Sequence, residues 1–286
     1  MKKLFILAAA AISMTASAQV NIQLHTDLGR QIYANPEANR GQVTTTVEMF
    51  KADRLGFTYF FVDMDYSSNN RTLNSNGGKA DYAVRGNIGA YWEVSRDFTF
   101  YKVKGTNHSF TAHIEYDGGL SQSAGAFQQA ALVGPVWNWH SNNYKKTFSL
   151  QVMYKQFFNS TDANGNGVHD AHPSVQFTPI WNITFANDLC SFSGFADLWY
   201  GWTSKYADAT NWSGQKKGWV FLTEPQFWFH VVNKGKTSNR LSIGTEVEIS
   251  NNFIYSAGII HPVTKQYWRS SRTFYINPTI AVKWDI

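Results

Sequence analysis

The chain has 286 residues, a formal net charge of +5, 16% aromatic residues and a single cysteine. One cysteine excludes an intrachain disulfide, and the mild charge without a basic run argues against nucleic-acid binding. No apolar run near the length of a membrane-spanning helix follows the first residues, so a helical membrane protein is excluded too.

The amino-terminal residues have the three parts of a secretory signal peptide. Two lysines precede the apolar run 4–12, and an Ala-Ser-Ala triplet precedes Gln19. The apolar run is too short to cross a bilayer. The sequence therefore predicts export, with residues 1–18 as the signal peptide and residues 19–286 as the mature domain. Loss of the two lysines lowers the net charge from +5 to +3, since 5 − 2 = 3.

Apolar side chains recur at every second position in twelve segments of the mature chain. In the final segment the alternation reaches the last residue, with apolar Ile280, Val282, Trp284 and Ile286 between polar Thr279, Lys283 and Asp285. Period two is typical of strands with one apolar and one polar face. Twelve such strands, about 22 residues apart, predict an all-β, antiparallel transmembrane barrel whose last strand seals against the first. Residues 55–66 are apolar on both faces, so their register is not assigned.

The connections between these segments alternate in length. Those after odd-numbered strands are mostly long and rich in Asn, Gly, Ser and Asp, whereas those after even-numbered strands are mostly short. This predicts long outer loops and short periplasmic turns in the outer membrane of a Gram-negative bacterium. We expect the barrel to be a monomer in contact with lipid. Two connections depart from the rule. Residues 33–41 are short for an outer loop, and residues 95–109 are long for an inner turn.

The polar faces predict the lining of the lumen. Of fifteen ionisable residues there, nine are acidic, three are basic and three are histidine, which favours neutral or cationic solutes over anions. Aromatic side chains on the same faces could stack on a planar solute. A narrow barrel also fills its interior with ion pairs and rings for stability alone, and both interpretations stay open. The predicted lumen candidates are Phe50, Arg85, Tyr91, Glu93, His113, Asp197, Trp199, Glu224, Trp228 and Tyr275.

Two short motifs carry a resemblance to a known family. Residues 60–65 read Phe-Phe-Val-Asp-Met-Asp, and residues 113–120 read His-Ile-Glu-Tyr-Asp-Gly-Gly-Leu. With the length and the twelve-strand organisation, they resemble the nucleoside-specific outer-membrane channels of the Tsx type, by way of a group of uncharacterised Bacteroidetes outer-membrane proteins. The resemblance implies a narrow nucleoside pore, and it implies lumen or pore-mouth positions for Asp63, Asp65, Glu115 and Asp117.

One loop matches the first half of a calcium-binding loop. Glycine occupies position 6 of the match, but position 12 is proline instead of the bidentate glutamate, and no helices flank the loop. A weak Ca²⁺ site and a plain Asn/Gly-rich outer loop both stay open, and no other cofactor is predicted. The candidate oxygen ligands are Asp162, Asn164, Asn166 and Asp170.

The sequence does not favour an enzyme. Its histidines are scattered, and no G-x-S-x-G elbow is present to place a nucleophile beside a base. The predicted function is passive diffusion of a small solute, with nucleosides implied by the resemblance. The alternatives are a non-conducting surface barrel that presents its loops to a glycan or protein, and an outer-membrane lipid-modifying enzyme.

Overall fold

The computed structural model describes residues 18–32, 43–67, 86–121, 125–161, 167–169, 171–202, 217–253 and 274–286. One short helix, α1 (Gly29–Ile32), follows the first strand, and no helix in these ranges is long and apolar enough to cross a membrane. The strands are β1 (Gln19–Asp27), β2 (Val43–Asp53), β3 (Gly56–Ser67), β4 (Gly86–Lys102), β5 (His108–Ser121), β6 (Gly125–His140), β7 (Lys146–Phe157), β8 (Ser160–Thr161), β9 (Gly167–His169), β10 (His172–Phe185), β11 (Cys190–Trp202), β12 (Lys217–Thr223), β13 (Gln226–Val232), β14 (Arg240–Asn251) and β15 (Phe274–Asp285).

The long strands form a closed antiparallel barrel. Each pairs with its neighbours in chain order, and β15 pairs with β1 in a register that places Trp284 opposite Ile22 and Ile280 opposite Thr26. The strands β12 and β13 act as one barrel strand, because both lie between β11 and β14 and only Glu224 and Pro225 separate them. The barrel therefore has twelve strands, and the predicted fold is confirmed. The short strands β8 and β9 form a separate ribbon.

The two faces of the barrel wall differ in polarity. On β1, Gln23 and His25 point inward and are buried, whereas Leu24 between them is 50% exposed on the outside. On β15, Lys283 is buried inside and Ile280 is 62% exposed outside. In water such an apolar exterior would be unfavourable. An apolar outside, a polar inside and no unpaired strand edge are the properties of barrels that cross a lipid bilayer.

One end of the barrel carries short turns, which the structure describes. The strand β4 continues to Lys102 and β5 begins at His108, so only residues 103–107 join them. The expectation of a long inner connection over residues 95–109 is therefore wrong. The alternation of inward and outward side chains continues through Phe98 and Phe100, which are exposed on the outer face. Charged residues lie among them, so the composition of the segment does not indicate a strand. The connections at the other end, including residues 33–41, lie mostly outside the described ranges.

Strand pairing decides the facing of β3, which the sequence left open. Asp63 lies opposite Thr46, and Asp65 lies opposite Thr44, whose hydroxyl donates a hydrogen bond to it (2.6 Å). Because Thr46 also lies opposite the buried Gln23 on β1, this row faces the lumen. The aromatic residues at alternate positions of β3 therefore face inward as well.

The lumen also has an apolar sector, which the sequence did not predict. Ala130, Leu132 and Val136 of β6 and Met153 of β7 are buried together, with Phe157 packed against them. Alternation predicts polar residues in the interior, but both faces of β6 are rich in apolar side chains. Alternation by polarity carries no information about facing in such a strand.

Candidate functional site

Three carboxylates converge on the inner wall of the barrel. Glu115 and Asp117 lie two positions apart on β5 and so share a face, and the register places Asp117 opposite Glu93 on β4. One oxygen from each of these three side chains lies within 4.8 Å of the others. We call Glu93, Glu115 and Asp117 the carboxylate cluster.

A buried lysine from a more distant strand neutralises part of this charge. Lys155 on β7 donates to an Asp117 oxygen (2.9 Å) and to the side-chain oxygen of Gln176 (2.8 Å). Its ammonium also lies over the rings of Phe157 (5.1 Å) and Trp199 (5.4 Å). Such an ion pair resists loss of either partner, because the charge that remains is buried without compensation.

Asp197 on β11 is the next carboxylate along the wall. It accepts a hydrogen bond from the hydroxyl of Thr178 on β10 (2.5 Å). It lies two positions before Trp199 on β11, so the two side chains share a face. The interior thus holds more carboxylates than lysines in this sector. A strongly acidic wall in a low dielectric attracts cations and repels anions.

A histidine extends the carboxylate cluster toward the short-turn end. His113 on β5 lies between two carboxylates, with Nδ1 2.8 Å from Asp97 and Nε2 3.1 Å from Glu115. The Thr111 hydroxyl donates to Asp97 (2.6 Å), and Asn138 donates to Thr111 (3.2 Å). This chain of contacts holds Glu115 in place from the side opposite Asp117.

Aromatic rings lie beside the carboxylate cluster on β3 and β4. The ring of Phe61 is 6.1 Å from that of Tyr59 and 5.9 Å from that of Tyr91, and all three side chains are half-buried. The Tyr91 hydroxyl donates to Glu93 (2.8 Å). We call Tyr59, Phe61 and Tyr91 the aromatic strip. Of these three, only Tyr91 was predicted from the sequence, although Asp63, two positions from Phe61, indicates the same facing for Phe61 and Tyr59.

The carboxylates suggested by the family resemblance occupy two neighbouring places. Glu115 and Asp117 belong to the carboxylate cluster. Asp63 and Asp65 lie on β3, where Asp63 is opposite Tyr91 of the aromatic strip. The hydroxyl of Thr46 donates to Asp63. Phe50 lies apart at the short-turn end of β2, where its ring is 43% exposed and contacts Phe57.

Other predicted lumen residues are packed on the far side of the barrel. Trp228 on β13 is fully buried, donates to Gln226 (2.9 Å) and carries the ammonium of Lys283 over its ring (4.3 Å). Gln226 in turn donates to Glu246 (2.6 Å). Tyr275 on β15 is 1% exposed. Glu224, at the interruption between β12 and β13, is half-buried.

Several predicted residues lie outside the described part of the chain. They are Arg85 and the four candidate calcium ligands Asp162, Asn164, Asn166 and Asp170. Their predicted roles stay predictions, as does the signal peptide, since residues 1–17 are also outside it.

A closed twelve-stranded barrel with an apolar exterior and an ionisable interior places the chain in the class of transmembrane β-barrels. Its sequence matches the model of the family described as Domain of unknown function (DUF5020) over residues 18–75 and 78–286. The chain belongs to the DUF5020 family. A comparison with curated protein sequences finds no significant match.

A comparison with solved structures finds two porins among the matches. The NanC porin, in a rhombohedral crystal form, superposes with a TM-score of 0.50 at 10% identity, covering 93% of this chain and 100% of that one. The KdgM porin has a TM-score of 0.42 at 9% identity and covers 94% of this chain and 99% of that one. At these identities the NanC likeness shows a shared fold, and the KdgM likeness is too low to add to it.

Proposed function

We propose that this protein is an outer-membrane channel through which small neutral or cationic solutes diffuse passively. The observation that carries the proposal is a closed barrel whose inner wall presents a carboxylate-rich surface. About eight strands leave an interior filled by side chains and about sixteen leave an open aqueous pore, so twelve strands suit one small solute at a time. The fold shared with the NanC porin supports a channel. In this proposal the exported chain is a monomer surrounded by outer-membrane lipid.

Nucleosides are the solutes that we propose within this class. The aromatic strip offers flat rings for a base, and stacking on an aromatic side chain contributes about 1–3 kcal/mol per base. The neighbouring carboxylates Glu93 and Asp63 could accept hydrogen bonds from ribose hydroxyls, and bonds to an ionised acceptor are stronger than neutral ones. The two motifs that resemble nucleoside-specific channels contribute residues to this surface.

Liposome swelling with the purified barrel tests the proposal. We expect nucleosides and cationic amino acids to enter about tenfold faster than anionic nucleotides of similar size, because an acidic lumen concentrates cations and excludes anions. Liposomes without protein provide the baseline. Absence of permeation by every solute would rule out a pore, and equal permeation by all would rule out selectivity.

Removal of two of the three rings of the aromatic strip should weaken nucleoside binding. The double substitution Phe61→Ala and Tyr91→Ala removes two stacking rings, so the dissociation constant of adenosine should rise about tenfold, equivalent to about 1.4 kcal/mol. Block of single-channel current by added adenosine measures it. Phe50→Ala, which deletes a ring at the rim, is the matched control. An unchanged block in the double variant would contradict a role of the strip.

A second candidate function is a non-conducting surface barrel that presents its loops to a partner. The observation that favours it is the near-complete burial of several inward side chains, including Trp228, Tyr275 and His113. A lumen packed in this way along its full length would pass no solute. Discrete conductance steps in planar bilayers would support the channel, and a silent but correctly folded barrel would support the surface function.

A further inference from the structure

We propose that the carboxylate cluster is a binding site for a divalent cation of the calcium type. The site lies on the inner wall, between β4 and β5. The proposal rests on the positions of these three side chains in the barrel and does not require the barrel to conduct. It is also separate from the loop that contains Asp162 and Asp170.

The spacing of the oxygen atoms suits calcium. Each of Glu93, Glu115 and Asp117 supplies an oxygen, and these atoms all lie within 4.8 Å of one another. Calcium binds oxygen at about 2.3–2.6 Å, so ligands on opposite sides of the ion are about 5 Å apart at most. An all-oxygen ligand set selects hard cations over zinc or copper. Because the three residues lie on two paired strands, the barrel holds them in this arrangement without an ion.

One buried oxygen of the cluster, Asp117 Oδ1, has no hydrogen-bond donor among the described residues. Asp117 is 1% exposed, and its Oδ2 accepts from Lys155 while its Oδ1 has no hydrogen-bond partner among the described residues. A buried carboxylate oxygen without a donor costs free energy. A cation held by the carboxylate cluster would supply the interaction that Asp117 Oδ1 lacks.

Each carboxylate of the cluster is held by a donor from a neighbouring side chain. Glu93 receives one hydrogen bond from Tyr91 at Oε1, and Glu115 receives one from His113 at Oε2. Each donor holds one oxygen of its carboxylate in place. Asp117 is held in the same way by the ammonium of Lys155.

The charge balance favours a divalent ion. The three carboxylates carry three negative charges when ionised, and Lys155 offsets one of them. His113 is shared with Asp97, which has its own negative charge, and Asp197 adds a further carboxylate from β11. When all these carboxylates are ionised, two or more negative charges have no counterion in a low-dielectric wall, where an opposite charge is attracted strongly.

Luminescence of Tb³⁺, a calcium substitute, tests the site in the purified full barrel in detergent. The Tyr91 ring, which donates to Glu93, would transfer excitation energy to an ion bound there. We expect Tb³⁺ emission sensitised by the protein to saturate as Tb³⁺ is added. Ca²⁺ should displace the bound Tb³⁺ and reduce this emission, whereas ethylammonium should not. Displacement by ethylammonium instead would overturn the assignment to a metal ion, as would the absence of saturable emission.

Matched variants locate the ion. The double variant Glu93→Gln and Glu115→Gln should bind Tb³⁺ at least about tenfold more weakly, because two anionic ligands become neutral. Two controls should change the affinity less than about twofold on the same argument: Glu246→Gln, a carboxylate on the far side of the lumen, and the double loop variant Asp162→Asn and Asp170→Asn. Equal loss in the loop variant, or full binding in the cluster variant, would contradict the proposal.

A further substitution tests the charge balance without removing a ligand, in a variant whose fold is first verified by circular dichroism. Lys155→Gln keeps a hydrogen-bond donor beside Asp117 but removes the positive charge that competes with the ion. Its affinity for Tb³⁺ should therefore rise about fivefold or more. Unchanged or weaker binding would overturn the proposal. None of these measurements involves permeation, so a silent barrel can still contain the site and a conducting barrel can lack it.

Discussion

Replacement of Lys155 by methionine should lower the free energy of unfolding by about 3–5 kcal/mol. The side chain of Lys155 is 5% exposed and is paired with Asp117, whose side chain is 2% exposed. Methionine keeps most of the apolar stem between Phe157 and Trp199 but leaves Asp117 as a buried charge without its counterion. Urea unfolding of the barrel in detergent micelles, followed by tryptophan fluorescence, measures the loss.

Two further variants distinguish the contribution of the ion pair to the free energy of unfolding from that of side-chain packing. The double variant Lys155→Met and Asp117→Asn should recover most of the loss, because a buried pair replaced as a whole is often close to neutral. Lys145→Met removes the exposed partner of Asp188 in a turn and should cost less than about 1 kcal/mol. If the double variant were as unstable as the single one, the loss would come from packing and not from charge.

An arginine in place of Ile280 should destabilise the barrel by about 2–4 kcal/mol in a bilayer. Ile280 lies near the middle of β15, faces outward and is 62% exposed. If the exterior is in contact with lipid, the guanidinium would have to enter hydrocarbon or draw water toward it. Unfolding of the barrel in phospholipid vesicles measures the effect.

The control variant introduces the same charge at a position outside the apolar exterior of the barrel wall. Thr237→Arg places arginine in the exposed turn between β13 and β14, where the cost should be within about 0.5 kcal/mol of zero. Equal stability of the Ile280 and Thr237 variants in vesicles would mean that the exterior of β15 does not face a bilayer.

The fold was accessible from the sequence because its signal is local. Each strand carries its own alternation, as in Ile280, Val282 and Trp284 of β15, and twelve repetitions of that pattern leave few architectures other than a closed barrel. The strand limits were less accessible. The segment after Ser95 looks like a loop by composition, yet β4 continues to Lys102 because its backbone pairs with β5.

The candidate site was accessible only in part. Alternation predicted that Glu93 and Glu115 face inward. It does not say which residue of one strand lies opposite which residue of the next strand. The apolar sector around Leu132 was missed because β6 is apolar on both faces. The facing of Phe61 followed only from the pairing of β3 with β2.

The sequence by itself determined the number of barrel strands and, for most of them, the polarity of the two faces, since these depend on the periodicity of neighbouring residues. Only the tertiary structure decided that Glu93, Glu115 and Asp117 converge and that Lys155, 38 residues beyond Asp117, pairs with one of them. Strand register and barrel closure set these contacts, and both arise from hydrogen bonds between segments distant in the chain. The chemistry of the lumen is therefore a property of the closed barrel and not of any one strand.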